Sequence, residues 1–404
     1  MRTLVSMFVA VSMAVLPHAA WSQEPPLRIG ILEDQSGPYA DVSGQGSVAA
    51  AQMAVADFGP VLGRKVEILT ADHMNKADAG VAIAKRWIDV DGVEMITGLG
   101  NTAVALAVRG VTSSSGKVDI VTGSGSSDFT GKACTPTSFH WVYDSFGLAK
   151  TIGTATIRSG ADSFFMIAAD YAFGTAMSRD GSRFAEAAGG KSMGRIRVPL
   201  NTSDYSSFII QAQGSGAKAI MLAIAGQDLI NFIKQAHEFH VNENGQKLAS
   251  FVTFINDIHA LGLDVVQGLL SSEAFYWDLN DDTRAFGKRF LAVRKKMPNS
   301  MQAGVYSAVK HYLTAVQAAG TTDGKAVAAK MRELPVNDFM TTNGKVREDG
   351  RMLRELYLFQ AKTPAESKGE WDVMKPIQKL SGEEAFRPLS ESECPLIKAA
   401  QAKN

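Results

Sequence analysis

The sequence predicts a doubly wound α/β fold, in which helices cover both faces of mainly parallel sheets. Short aliphatic runs alternate with longer segments of helical periodicity from residue 27 onward, which is how a chain builds such sheets. Each apolar run stops abruptly in small or polar residues before the next helical segment. The length of 404 residues exceeds what one hydrophobic core usually serves, so two domains are expected.

Seven runs rich in β-branched or aliphatic residues are predicted as strands. They are Leu27 to Leu32, Val66 to Thr70, Val93 to Thr97, Val118 to Thr122, Phe164 to Ala168, Ala219 to Ile224 and Phe251 to Ile255. Strands that alternate with helices pair in parallel, because the helix carries the chain back across the sheet.

Between these runs, apolar residues recur at three- and four-residue spacing, which predicts amphipathic helices. The predicted helices are Ser47 to Phe58, Ala77 to Asp89 and Asp228 to His240.

The segments after the strands are rich in Gly, Ser and Thr or in polar side chains. They are Glu33 to Tyr39, Gly98 to Thr102, Gly123 to Asp128, Asp170 to Gly174, Gly226 to Asp228 and Asn256 to His259. In open parallel sheets, ligands bind beyond the carboxyl ends of the strands, where backbone amides and helix N-termini point into a crevice. Each segment could be an ordinary loop, but six of them in one chain favour a recognition crevice.

The N-terminal segment has the pattern of a secretory signal peptide. Arg2 precedes the apolar stretch Leu4 to Leu16, and Ala19 to Ser22 supplies small residues for cleavage. This stretch is shorter than the roughly 20 apolar residues that a membrane-spanning helix needs. We therefore expect residues 1–22 to be a cleaved signal peptide and the mature chain to lie outside the cytoplasm.

The charge balance bears on which partners are expected, and the two cysteines bear on whether a disulfide is expected. The chain has 41 basic and 41 acidic residues without a basic stripe, so no nucleic acid partner is expected. Cys134 and Cys394 lack the spacing of a metal site, and an exported chain meets an oxidising compartment. A single disulfide between them is the simplest use.

No constellation of catalytic residues stands out, so the protein is not expected to be an enzyme and no metal or cofactor is expected. The nearest candidates are Ser124 and Ser126, but Gly123 to Ser127 has glycine at the wrong interval for a nucleophile elbow. An extracytoplasmic hydrolase using one of these serines remains an alternative. A hydroxyl-rich loop can equally bind an anion without reacting with it.

Several segments together resemble the branched-chain amino acid type of periplasmic solute-binding proteins, which serve ATP-driven importers. They include Ile29 to Leu32 followed by Ser36 to Tyr39, and Asp170 to Gly174. Cys134 to Pro136 and Tyr276 to Asp278 resemble a subgroup in which some members take up aromatic carboxylates.

The resemblance implies a type I periplasmic binding fold with two lobes and three interlobe crossings. Lobe 1 would comprise 23–142 and 270–347, and lobe 2 would comprise 143–269 and 348–385. Residues 386–404 would form a tail tied back by Cys394.

The resemblance also implies a periplasmic monomer that hands a small organic carboxylate to the membrane permease of an ABC importer. An aromatic acid is the preferred ligand, and a branched-chain or other hydrophobic amino acid is the alternative. A ligand sensor of the amide-receptor type shares this fold and is a further alternative.

Position by position, the resemblance implies a ligand site between the lobes. From lobe 1 it would use Tyr39, Asn101, Thr102, Ser124, Gly125 and Ser126. From lobe 2 it would use Tyr171, Gly226, Asn256 and Asp257. Asp257 has two interpretations, a ligand contact or a cap of the following helix. Aromatic side chains expected to stack on a ligand ring are Tyr171, Phe275, Tyr276 and Trp277.

Overall fold

The computed structural model describes residues 24–243 and 245–402, so the expected signal peptide lies outside the described residues. The first lobe is built on a five-stranded parallel sheet with the order β2-β1-β3-β4-β5. Its strands are β1 (Leu27–Glu33), β2 (Val66–Asp72), β3 (Val93–Gly98), β4 (Val118–Val121) and β5 (Ser138–His140). In β1 and β3 nearly every residue is buried, as expected for strands that helices cover on both faces.

The second lobe is built on a four-stranded parallel sheet with the order β7-β6-β8-β9. Its strands are β6 (Ser163–Ala169), β7 (Lys191–Val198), β8 (Ala219–Ala223) and β9 (Lys247–Ser250). In both sheets the second strand lies on one side of the first and the third strand on the other. This reversal opens a crevice at the carboxyl ends of the strands, where ligands of such folds bind.

The helices lie between and beside these strands. In the first lobe they are α1 (Gly44–Phe58), α2 (Ala77–Asp89) and α3 (Thr102–Ser114). In the second they are α4 (Ser145–Leu148), α5 (Thr154–Arg158), α6 (Ala172–Ala187), α7 (Ser206–Gly214), α8 (Gln227–Glu238), α9 (Ile255–Leu261) and α10 (Leu263–Val266). A π-helical segment, Ala149–Gly153, joins α4 to α5.

The rest of the chain returns to the first lobe and then to the second. It comprises β10 (Leu270–Glu273), α11 (Asp281–Arg294), α12 (Ser300–Ala319), α13 (Gly324–Glu333), β11 (Val336–Asp338), β12 (Thr341–Val346), β13 (Met352–Leu353), β14 (Leu356–Ala361), β15 (Met374–Leu380), α14 (Gly382–Ala385) and α15 (Pro395–Gln401). Helix α12 packs on α1, whereas β10, β14 and β15 form an antiparallel sheet that adjoins β9. The lobe boundaries near 142, 270 and 347 remain a prediction.

Six of the seven predicted strands are present with ends shifted by at most two residues, and the two-lobed α/β fold is confirmed. The strand predicted at Phe251 to Ile255 is wrong, because β9 is Lys247–Ser250 and Ile255 begins α9. The apolar run is explained by burial, since Phe251 and Phe254 are almost fully enclosed. Strand β7 was not predicted, because it is polar and largely exposed at the sheet edge.

The predicted disulfide is present between Cys134 and Cys394, whose Cα atoms lie 5.6 Å apart. It joins positions 260 residues apart in the chain. Within residues 24–243 and 245–402, no helix has both the length and the apolar character needed to cross a bilayer.

Candidate functional site

A narrow cavity of about 20 Å³ lies between the two lobes. Most residues that line it come directly after strands of the two parallel sheets. The lining residues are Tyr39, Val42, Gly100, Thr102, Gly123, Gly125, Tyr143, Tyr171, Phe173, Ala225, Val252, Phe254 and Met301. The predicted residues among them are Tyr39, Thr102, Gly125 and Tyr171, and their role in ligand binding stays a prediction.

The first-lobe wall contains the N-terminus of α3. Asn101 caps this helix, because its side-chain oxygen accepts hydrogen bonds from the backbone N–H of Ala103 at 2.9 Å and of Val104 at 3.2 Å. Its side-chain NH2 donates to the Asn75 side-chain oxygen at 3.1 Å, so both ends of the Asn101 amide are engaged within the first lobe. Thr102, the first residue of the helix, lines the cavity, and its buried hydroxyl has no hydrogen-bond partner among the described residues.

In the loop after β4, the glycines Gly123 and Gly125 line the cavity, whereas the serines bond to backbone atoms elsewhere. A Cβ on Gly125 would lie 3.1 Å from the ring of Phe173 in the second lobe, so a larger residue here would press on that ring. Ser124 donates its hydroxyl hydrogen bond to the carbonyl of Leu99. Ser126 accepts one from the N–H of Asp128 at 3.2 Å. Neither serine is among the lining residues.

The geometry does not pair these serines with a general base. His140 Nε2 lies 2.8 Å from the backbone carbonyl oxygen of Ser124, not from its hydroxyl. Burial lowers the pKa of His140 well below its usual value, so the ring is neutral at neutral pH. Among the described residues, no group of His, Cys, Asp and Glu side chains is placed to hold a metal ion.

Two tyrosines close the cavity from opposite lobes. The hydroxyl oxygens of Tyr39 and Tyr171 lie 2.8 Å apart, and either can be the donor. Whichever donates, the other hydroxyl keeps its hydrogen for a further acceptor. Burial raises the pKa of both phenols, so both stay protonated.

Gly226 contacts the first lobe and does not line the cavity. A Cβ on this residue would lie 2.5 Å from the carbonyl oxygen of Pro38 and 3.0 Å from the Tyr39 ring. The next residue, Gln227, donates its backbone N–H to Pro38 at 3.0 Å. This contact joins the lobes directly, so the structure shows them closed on each other.

Asn256 and Asp257 also lie outside the cavity lining. Asp257 accepts a hydrogen bond from the backbone N–H of Phe254 at 2.8 Å, which caps α9, and its contact with a ligand stays a prediction. The side-chain oxygen of Asn256 accepts one from Asn299, at the start of α12, at 2.8 Å. Both side chains therefore form hydrogen bonds at the N-termini of helices outside the cavity lining.

The expected stacking residues other than Tyr171 lie away from the cavity. Tyr276 and Trp277 both donate to the carbonyl oxygen of Trp371, at 3.1 and 2.9 Å. Phe275 packs edge-on against Phe286 and Phe339 in the hydrophobic core. In this structure these three side chains contact other parts of the protein, and their stacking on a ligand ring stays a prediction.

The cavity has a neutral lining, since none of its described residues carries a formal charge. Beneath it, Glu33 is fully buried and accepts hydrogen bonds from the N–H of Gly100 and the hydroxyl of Ser47, each at 2.9 Å. Burial raises the pKa of Glu33 to about 8 despite these hydrogen bonds, so the carboxyl is mostly neutral at pH 7.

Several lining residues escaped the sequence analysis. Ala225, Val252 and Phe254 follow strands but are apolar, so they were indistinguishable from strand or core. Tyr143 follows β5, and Met301 belongs to α12, far along the chain. Phe173 lies within the predicted segment Asp170 to Gly174, and that position was its only signal.

Comparison with known proteins gives one consistent family. The family model described as "Periplasmic binding protein" matches residues 26–370. A periplasmic binding protein from Burkholderia mallei is 43% identical, with a TM-score of 0.90, and the match covers 92% of this chain and 99% of that one.

Two further solved structures are similar. A branched chain amino acid ABC transporter periplasmic ligand-binding protein from Burkholderia xenovorans is 37% identical, with a TM-score of 0.81, over 92% of this chain and all of that one. An ABC transporter solute binding protein from R. palustris, solved in complex with benzoate, is 19% identical, with a TM-score of 0.81, over 92% of this chain and 100% of that one. At that identity the last comparison shows the fold alone.

Proposed function

We propose, from the premise that this chain belongs to the periplasmic binding protein family, that it captures a small organic carboxylate, preferably an aromatic acid, by closure of its lobes. The chain is a substrate-binding protein of the kind that serves ABC transporters of the branched-chain amino acid type. The ligand would pass from it to the membrane permease of the importer. The structure supports the choice of ligand by the chemistry of the interlobe cavity.

The observation that carries the proposal is the pairing of a helix N-terminus with a free hydroxyl in a neutral cavity. A carboxylate removed from water needs several hydrogen-bond donors, because burying it unpaired is very costly. Thr102 offers its hydroxyl at the first position of α3, where the helix dipole favours an anion, although Asn101 already occupies the N–H groups of Ala103 and Val104. The Tyr39 and Tyr171 pair offers a further hydrogen.

The lining favours an organic acid over an amino acid. An amino acid brings an ammonium group, whose burial also needs a compensating negative charge or several acceptors. None of the described lining residues is acidic, and the nearby carboxyl of Glu33 is engaged with Ser47 and Gly100. Asp257, which was a candidate ligand contact, lies outside the lining and caps α9.

The apolar part of the cavity favours an aromatic ring. Five of the lining side chains are aromatic: Tyr39, Tyr143, Tyr171, Phe173 and Phe254. Aromatic rings prefer offset or edge-on contacts with one another, so a cavity with this lining suits a flat ring once the lobes part enough to admit it. The benzoate complex of a protein with the same fold gives benzoate as the first ligand to test.

Calorimetry with benzoate, 4-hydroxybenzoate, leucine and valine tests the proposal. We expect the aromatic acids to bind and Thr102→Val to weaken their binding by about tenfold or more, because a charge-assisted hydrogen bond contributes roughly 1.5–3 kcal/mol. Thr102→Ser, which keeps the hydroxyl, is the matched control and should bind nearly as well as the parent. Binding of leucine or valine alone would instead support the amino acid alternative.

A further inference from the structure

The C-terminal segment Phe386–Cys394, called the strap here, runs from one lobe to the other. It begins directly after α14, next to the second lobe: a Cβ on Gly147 of α4 would lie 3.3 Å from the Phe386 ring. It ends at Cys394, which is bonded to Cys134. Cys134 lies between β4 and β5 of the first sheet.

We propose that the strap is a covalent tether that limits how far the two lobes open. The backbone enters the strap from the second lobe, and the disulfide attaches its far end to the first. The lobes are therefore linked by this bond in addition to the peptide connections between the sheets. Separating the lobes at this side requires the strap to lengthen or to leave its contacts.

The strap is held along its course by side chains of the second lobe and of the turn between β12 and β13, and its Arg387 donates to Ser127 of the first lobe at 3.3 Å. Phe386 is 1% exposed and lies 4.0 Å beneath the guanidinium of Arg351. Arg347 donates to the carbonyl of Arg387 at 2.8 Å. Arg183 of α6 pairs with Glu391 at 2.9 Å. The contact between Phe386 and Arg351 is buried, whereas the ion pair of Arg183 is half-exposed and contributes little to stability by itself.

At its far end the strap packs on the first lobe. Cys134 and Cys394 are buried together with Ile397 of α15, and Leu389 and Leu396 pack against this cluster. A Cβ on Gly131 would lie 3.4 Å from the carboxylate of Glu393. The anchor is therefore a small core of its own as well as a covalent bond.

A limit on opening would affect ligand capture. If the unliganded protein stays closer to the closed state, less free energy is spent on closure when the ligand binds, and the apparent affinity is higher. This consequence rests on the proposed function, but the limit on opening itself does not.

The test lengthens the strap while keeping the disulfide. An insert of about six Gly and Ser residues after Glu391 behaves as a flexible spacer. The same insert after Gly369, an exposed loop position of the second lobe, is the matched control. A second variant, Cys134→Ser with Cys394→Ser, removes the bond altogether.

The readout is the interlobe distance of the unliganded protein, measured by single-molecule fluorescence transfer. The dyes would replace the exposed Val90 of the first lobe and Ile210 of the second, 76% and 58% exposed, through chemistry that spares cysteine. We expect a wider distance with the lengthened strap, and affinity weaker by about threefold or more. Its thermal midpoint should stay unchanged, because a few added residues alter loop-closure entropy little. The control insert should change neither distance nor affinity.

An unchanged distance with the lengthened strap would overturn the proposal and leave the disulfide as a stabiliser only. The cysteine-free variant should also widen the distance, with a lower thermal midpoint. A wider distance in a protein that binds none of the tested acids would sustain the tether and refute the proposed ligand, so the two failures are distinguishable.

Discussion

Gly226 stands where the backbones of the two lobes meet, with φ at +59°. In Gly226→Ala the new Cβ would lie 2.5 Å from the Pro38 carbonyl oxygen, a contact made only when the lobes are closed. We expect ligand affinity to fall about tenfold or more, because closure is penalised while the open form is not.

Calorimetry and urea unfolding of two variants separate this effect from backbone strain. Gly216→Ala is the control, since Gly216 has a similar φ of +70° and nothing within 4 Å of an added Cβ. Both variants should lose about 1 kcal/mol or more of unfolding free energy because alanine is strained at positive φ, and Gly226→Ala should lose more because its ψ of −136° is confined to glycine. Equal ligand affinity in the two would show that the Pro38 contact does not matter for closure.

Glu33 predicts a pH dependence of ligand binding. Its pKa is raised to about 8 by burial, so the carboxyl is protonated below that pH and ionised above it. An ionised Glu33 beneath Gly100 would repel a ligand carboxylate, so affinity should fall as pH rises through about 8. In Glu33→Gln the amide oxygen can accept from the Gly100 N–H while the NH2 donates to the Ser47 hydroxyl, and calorimetry across this range should show a much smaller decline. A parent protein whose affinity is constant from about pH 6 to about pH 9 would contradict this.

The carboxyl of Glu33 also makes the stability of the fold fall as pH rises. The pKa of Glu33 is higher in the folded protein than its ordinary value of 4.5. Its contribution to stability is therefore fully present below pH 4.5 and is lost as pH rises through about 8. Glu33→Gln should remove this part of the pH dependence of the thermal midpoint.

At the level of elements, α3 is the helix whose N-terminus faces the cavity, and Asn101 sets its start. Asn101→Ala removes the two hydrogen bonds that cap it and should cost about 1 kcal/mol of unfolding free energy, measured in urea. Ligand affinity should fall only modestly, through looser placement of Thr102. Asn101→Ser, which can still cap, is the control. A large loss of affinity without loss of stability would mean that Asn101 contacts the ligand itself.

For the molecule as a whole, a buried ion pair joins the segment between β5 and α4 to the turn between β12 and β13. Arg351 lies 3.4 Å from Asp144, with the two side chains 0% and 2% exposed. Burial raises the pKa of Asp144, an effect that the guanidinium partly offsets. Burial also lowers the pKa of Arg351 to about 10.

Arg351→Met should destabilise the protein by about 3 kcal/mol or more in urea unfolding, because it leaves Asp144 buried and unpaired. Adding Asp144→Asn should recover part of the loss, since the uncompensated charge is then gone. Arg197→Met, which breaks the exposed pair with Asp170, is the control and should have a small effect. A loss at Arg351 no larger than at Arg197 would show that this pair does not hold the connecting segments together.

The fold class, six of the seven predicted strands and the disulfide were predictable from the amino-acid sequence. The fold class and the strands follow from local signals, because the period of apolar residues reports burial on one or both faces of an element. The disulfide follows from the presence of two cysteines in a chain expected to be exported. It also located the strand ends that surround the cavity, since Gly-rich and hydroxyl-rich segments interrupt the pattern there. Phe251 to Ile255 shows the limit of this signal, because a buried apolar loop has the composition of a strand.

Which side chains reach the cavity depends on how the elements pack in three dimensions, and no local sequence signal reports it. Ser124, Ser126 and Asn101 have polar groups that can hydrogen-bond either a ligand or a nearby backbone atom. In this fold each of them bonds a backbone atom. Tyr143 and Met301 come to the cavity from a connecting segment and a distant helix. A hydrogen bond is chosen by distance and angle, and both depend on how elements far apart in the chain pack together.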